Sequence, residues 1–266
     1  VYSGYPAFGT SSEVIGALAR SGWDGCATAS NHAADRGEAG VVATLDALDA
    51  HGLGHAGTYR SQQDASVPFA LYELERGGRT VTVAQISTTM DLNGLEDPTG
   101  YSVSLNDVGA ITKAAKSARA AGADLVVAVV HVGRADDEAL FEAGVADLIL
   151  TGHDHDLRIL HDGRTALVES GSQADYVTAI EITLDRVKEG DEEEELVWRP
   201  SFRAIDTARV APSERGQELV QALEDRLSAE LDREVGTTAT ELDSRRATVR
   251  GQEAAIGNLF ADALRE

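Results

Sequence analysis

Six consecutive apolar residues, Leu125 to Val130, stand between the Ala121–Gly122 turn and His131. A strand that is apolar at both parities has no face to offer to water, so it belongs inside a sheet covered on both sides. That run excludes a single-layer, open-faced sheet and demands a layered fold. The rest of the chain supplies the layers, because its hydrophobic spacing alternates between helical and extended periods, the α/β pattern. The spacing predicts helices over about 13–19, 38–50, 105–120, 136–143 and 214–232, and an amphipathic helix over 250–266. Strands are predicted over 25–29, 67–75, 80–86, 125–130, 147–150, 159–160, 166–168, 176–184 and 196–202, with hairpins at Gly77–Gly78 and Asp162–Gly163. The run Glu189–Glu195, with Asp191 and four consecutive glutamates, reads as a solvated hairpin tip.

At 266 residues the chain has room for one large α/β domain, or for one domain and the start of another. The boundary is expected within 211–215, around Pro212, which gives a first domain over 1–210 and a linker helix with the beginning of a second over 211–266. Acidic residues outnumber basic ones by 45 to 23, for a formal charge of −22. Such a surface repels nucleic-acid backbones and anionic lipid, so neither is an expected partner. No apolar run approaches the ~18–20 residues of a membrane span, and residues 1–10 lack the pattern of a signal peptide. The single cysteine, Cys26, excludes an internal disulfide framework and a cysteine-based zinc cluster. A metal ion is the natural means for so acidic a chain to attract a negatively charged substrate.

Gly52-Leu53-Gly54-His55-Ala56-Gly57 spells a dinucleotide-binding fingerprint, yet it follows a helix instead of a strand. It reads as a helix-ending turn. Four of the seven histidines, His32, His131, His153 and His155, fall where an expected strand gives way to a loop, the place where open α/β sheets gather ligands. In Gly152-His153-Asp154-His155, two imidazoles one residue apart can each serve a different ion of a close metal pair. Asp154 and Asp156 could orient them, although surface placement is the plainer reading of both. Asn31 offers a hard amide oxygen to a divalent ion. His32 beside it is then free to face a substrate, and Asp35, three residues on, can hold its ring. The plainer alternative is a turn capped by Asp35. His51, His55 and His161 read as surface or packing residues.

These residues resemble the calcineurin-like metallophosphoesterase superfamily, whose later motifs are an asparagine–histidine pair, a lone strand-end histidine and Gly-His-x-His. The stretches "SNHAADRGEAG", "HGLGHAGTYRS", "DLNGL" and "ARAAGADLVVAVVHVG" are similar to the bacterial capsule-synthesis (CapA-type) branch. From His131 on, "GVADLILTGHDHD", "LVESGSQADYV" and "VRGQEAAIGNLFADALR" look more like the 5′-nucleotidase branch and the opening of its C-terminal domain.

The resemblance implies an α/β/β/α sandwich with mixed sheets and a site for two divalent ions, with zinc, manganese and iron equally suited. It matches Asn31, His131 and His153 to ligands of one ion and His155 to a ligand of the other. His32 and Asp35 match the catalytic histidine and its carboxylate partner. The implied reaction is hydrolysis of a phosphomonoester, with nucleotides as the expected substrates, by in-line attack at phosphorus while His32 stabilises or protonates the leaving oxygen. The alternatives are a CapA-type role in polyglutamate or capsule assembly, and a degenerate, non-catalytic binding module. Both branches are usually exported, which implies an extracellular, periplasmic or cell-wall location. The superfamily's earlier motifs, an Asp-x-His and a bridging aspartate, do not occur before Asn31, where Asp24 is the one aspartate. The expectation is therefore an N-terminally incomplete domain that holds one ion and has little or no phosphatase activity.

Overall fold

The computed structural model describes residues 2–94, 101–187, 195–234 and 236–265. The chain divides into two units, Val1–Val210 and Ala211–Glu266. The first runs α1 (Glu13–Arg20), β1 (Gly25–Ala27), α2 (Gly37–Ala50), β2 (Gly54–Ala56), β3 (Thr58–Tyr59), β4 (Ala70–Arg76), β5 (Arg79–Thr89), β6 (Ser102–Val103), α3 (Val108–Ala120), β7 (Leu125–His131), α4 (Arg134–Ala143), β8 (Leu148–Thr151), β9 (Leu157–His161), β10 (Ala166–Ser170), β11 (Tyr176–Val187) and β12 (Glu195–Asp206).

The principal sheet is mixed, in the order β4-β5-β7-β8-β10-β9. Strands β5, β7, β8 and β10 are parallel, while β4 and β9 pair antiparallel at the two edges. The apolar run of β7 lies inside it and is divided by parity. Val126, Ala128 and Val130 join Ile111, Ala114 and Ala118 of α3 and Leu140 of α4 in one core. On the other face, Leu148, Ala166 and Val168 form a second buried cluster, against which Val127, Leu150 and, from the β11–β12 pair, Ile180, Ile182, Trp198 and Phe202 pack. Truncating a fully buried member such as Ile149 to alanine would cost about 2–5 kcal/mol. A smaller core, with Ala34, Val41, Leu45, Leu92 and Tyr101, fastens α2 to the segment beyond β5.

Local chemistry sets several boundaries. Helix α3 starts three residues later than its spacing predicts, because Asp107 caps it by accepting from the Ala110 N–H at 2.6 Å. The Gly52–Gly57 segment is more than a turn. Gly54–Ala56 forms β2, parallel to β1, and Gly57 follows at φ 116°, where a Cβ would lie 2.6 Å from the Ala29 nitrogen. Only glycine fits that approach. The expected hairpin tip at Glu189–Glu195 lies outside the described residues, apart from Glu195 at the start of β12.

In the second unit, α5 (Glu214–Leu231) is capped by Ser213, whose hydroxyl accepts from the Gly216 N–H at 3.0 Å. The continuous helix expected over 250–266 is instead two helices, α6 (Arg246–Gly251) and α7 (Ala255–Arg265). Gln252 is extended there, directly after Gly251, a residue that stabilises a helix interior poorly. Among the described residues no helix is long and apolar enough to cross a membrane.

Candidate metal and acid–base site

Two segments and one strand end carry the candidate residues. The turn after β1 holds Asn31, His32 and Asp35, β7 ends at His131, and the loop after β8 holds His153 and His155. Because β7 and β8 are parallel, His131 and the His153 loop emerge at the same edge of the sheet.

The turn is knitted by hydrogen bonds. His32 Nδ1 lies 2.9 Å from Asp35 Oδ2, and the same oxygen accepts from the Phe8 N–H at 2.7 Å. The Phe8 ring meets His32 edge-on, with centroids 4.6 Å apart. Asn93 Nδ2 donates to the Asn31 carbonyl at 3.0 Å and lies 3.4 Å from His32 Nδ1. In return Asn31 Nδ2 donates to Asn93 Oδ1 at 3.1 Å, which commits the amide nitrogen and leaves Asn31 Oδ1 outside the pair. A cleft of about 480 Å³ opens beside this turn, lined by Phe8, His32, Asp35 and Arg36 among others.

His131 and His153 face one another across the sheet edge, with ring centroids 5.2 Å apart and planes at 82°. The His131 carbonyl accepts from the Met90 N–H at 3.0 Å and from Thr89 Oγ1 at 3.3 Å, which fixes the strand end. Burial, and after it the neighbouring imidazoles of His153, His32 and His155, holds the His131 pKa below the ordinary histidine range. His131 therefore favours its neutral form, the form that binds metals. His153 and His155 sit at φ 108° and 65°, a region that non-glycine residues occupy at a cost of order 1–3 kcal/mol.

His131 and His153 bring two imidazoles together, while the Asn31 amide lies in the separate turn after β1, against Asn93. Among the described residues, no three histidine, cysteine, aspartate or glutamate side chains converge as an ion site, and His155 has no carboxylate set around it. Asp156 pairs with Arg134, Asp154 is exposed, and neither hydrogen-bonds a histidine. Asp24 is exposed, and its carbonyl binds the Gly54 N–H. Asp91 accepts from the Asn93 N–H at 2.8 Å and shapes that turn. His55 pairs with Asp49 at 3.1 Å, and His161 packs against Trp198 and Phe202. Asn93 carries no obvious signal in the sequence beyond its Asn-Gly turn, and it stands at φ 55°.

The profile of the bacterial capsule synthesis protein family PGA_cap matches residues 1–158. No curated protein matches the chain. Among solved structures, the chain is similar to a 5′-nucleotidase precursor from Thermus thermophilus, at 18% identity and a TM-score of 0.61, over 94% of this chain and 52% of that one. It is also similar to a putative 5′-nucleotidase from Staphylococcus aureus, in complex with alpha-ketoglutarate, at 20% identity and a TM-score of 0.60, over 90% and 48%. The sulfate thiohydrolase SoxB from Thermus thermophilus aligns at 21% identity and a TM-score of 0.53, over 82% and 39%. The chain thus spans about half the length, or less, of the structures it matches. The likeness establishes a metallophosphoesterase-type α/β fold, and the profile match over more than half its length makes this chain a member of the bacterial capsule synthesis protein family PGA_cap.

Proposed function

We propose that this site hydrolyses phosphomonoesters, with nucleotides as the substrate class, using a divalent ion held by Asn31, His131 and His153. The observation that supports this reading best is the pairing of His32 with Asp35 at 2.9 Å beside the facing imidazoles of His131 and His153. With Nδ1 committed to Asp35, His32 presents Nε2 as the proton donor to the leaving oxygen. The Phe8 N–H binds the same carboxylate and keeps it from rotating away. Neutral His131 and the His153 ring would hold the ion, with Asn31 Oδ1 as an oxygen donor. An ion bound there supplies positive charge that polarises the phosphoryl oxygens and acidifies water. His155 would serve a second ion but has no carboxylate set to share it with, so we expect one tightly held ion and slow turnover. By the same resemblance the protein acts outside the cytoplasm.

The family match favours a second reading, handling of an anionic capsule polymer such as polyglutamate without phosphate release. Metal analysis combined with phosphate release from a 5′-nucleotide tests the two. The first reading predicts one ion per chain and slow, ion-dependent release that drops to background in His32→Ala. Retention of polyglutamate with no ion-dependent release would replace it with the second.

A further inference from the structure

Beneath the histidine loop lies a group of buried polar side chains that the proposed chemistry does not use. The sheet order places Glu169 of β10 between Thr151 of β8 and Arg158 of β9, and the register pairs it with both. Residues paired across neighbouring strands share a face, so the three side chains form a row. Parity puts that row on the helix side, because Leu167, two residues before Glu169, packs in the core under α3 and α4.

Helix α4 closes over the row. Thr151 Oγ1 donates to Asp137 Oδ1 at 2.6 Å, Arg158 Nη1 lies 3.8 Å from Asp137 Oδ2, and Arg158 Nη2 donates to Glu138 Oε1 at 3.2 Å. Asp137 is 0% exposed and Glu169 is 1% exposed. Four atoms in this space, Glu169 Oε1 and Oε2, Asp137 Oδ2 and Arg158 Nη1, are buried without a hydrogen-bond partner. Native interiors leave only a few such atoms unmatched per hundred residues, and four in one place call for something that joins them. A metal cation does not suit the set, since the guanidinium already brings positive charge and only two carboxylates are present. Water does suit it. A single molecule accepts from Arg158 Nη1 and donates to one Glu169 oxygen and to Asp137 Oδ2, so it meets three of the four atoms with the three bonds that a buried water ordinarily makes.

We infer that Glu169, Asp137 and Arg158 enclose one ordered water molecule, and that this knot makes Glu169 and Asp137 positioning residues for His153 and His155. Thr151 is the last residue of β8 and Arg158 the second of β9, so the knot grips both ends of the intervening loop. That loop holds its histidines at positive φ, a strained geometry that persists only where the surroundings impose it. The effect on ion binding rests on the proposed ligand roles of His131 and His153. The effect on the loop does not.

Glu169→Leu removes both acceptors at similar volume. In that variant, amide hydrogen exchange over 152–157 should accelerate at least tenfold while β5 and β7 keep wild-type protection, and the ion's dissociation constant should rise by about 10–100-fold. Glu169→Gln, which keeps an acceptor oxygen, should restore most of both. Should Glu169→Leu fail to fold, Thr151→Val removes only the bond to Asp137 and should shift exchange in the same direction by less. A crystal structure of the whole chain should show one water bonded to all three side chains. A dry space there, or wild-type exchange over 152–157 in Glu169→Leu and Thr151→Val, would overturn the inference. If the wild-type chain binds no ion, the proposed function fails, while the water and the exchange pattern still decide on the knot.

Discussion

The turn carrying Asn31, His32 and Asp35 is stitched to its neighbours side chain by side chain, with Asp35 bound to Phe8 and Asn93 bound to Asn31. Among the described residues, the imidazoles of the loop carrying His153 and His155 have no such stitching. Its two histidines stand at positive φ, and the loop is held through Asp156, whose carbonyl accepts from the Gly171 N–H at 2.8 Å and whose carboxylate pairs with Arg134. The contrast separates two tasks. A general acid must keep its tautomer and direction through every cycle, which hydrogen bonds to its far nitrogen ensure. A ligand needs its nitrogen left open for an outside partner, so the backbone aims it instead. The strain in the loop is then the cost of leaving those rings free.

The sharpest way to break this comparison is to cut a stitch in the turn. Asp35→Asn should lower kcat by on the order of 10²-fold while leaving bound ion unchanged, checked by phosphate release and metal analysis on the same preparation. A loss of metal would mean that the two segments do not divide the work.

A smaller effect sharpens the picture below the loop. Burial, with a further push from the Glu169 charge and against the Thr151 hydrogen bond, raises the Asp137 pKa to about 6. The folded state then holds this proton more tightly than the unfolded chain, whose value is near 3.8. The resulting stability is fully present below about pH 4 and is lost as pH rises through about 6. Asp137→Asn removes that dependence. Between pH 4 and 8, wild type should lose on the order of 2–3 kcal/mol relative to the variant in denaturant titrations.

Two further changes probe the segments themselves. Asn93→Ala should reduce kcat by about tenfold and weaken ion binding by a similar factor, since it frees both Asn31, a proposed ligand, and His32 without touching Asp35. His153→Gly should do the reverse of an ordinary truncation. It relieves the positive φ and should stabilise the chain by about 1 kcal/mol, read as a rise of a few degrees in Tm, while abolishing ion binding.

Elements long enough to carry a period were legible in the sequence. The apolar run of β7, the β4–β5 hairpin around Gly77–Gly78 and the Val41–Leu45–Leu48 stripe of α2 all stand where the pattern puts them. Strands β2, β3 and β6 span two or three residues, too few to show alternation, and they exist because longer elements hold their partners nearby. The helix break at Gln252 depends on a local choice that amphipathic spacing does not record. In the site, the spacing of His32 and Asp35 made their contact readable. The Asn31–Asn93 bond, across 62 residues, was not. Phe8 reaches Asp35 across 27 residues, and Glu169 meets Thr151 and Arg158 only because β10 inserts between β8 and β9. Such contacts follow from strand order, which no local pattern encodes.

The division of labour between turn and loop is tested most directly by metal content and phosphate release measured together on His32→Ala and His153→Ala. His32→Ala should retain one ion and lose turnover, whereas His153→Ala should lose the ion and turnover with it. An emptied ion site in His32→Ala, or an ion held at full affinity in His153→Ala, would contradict the account.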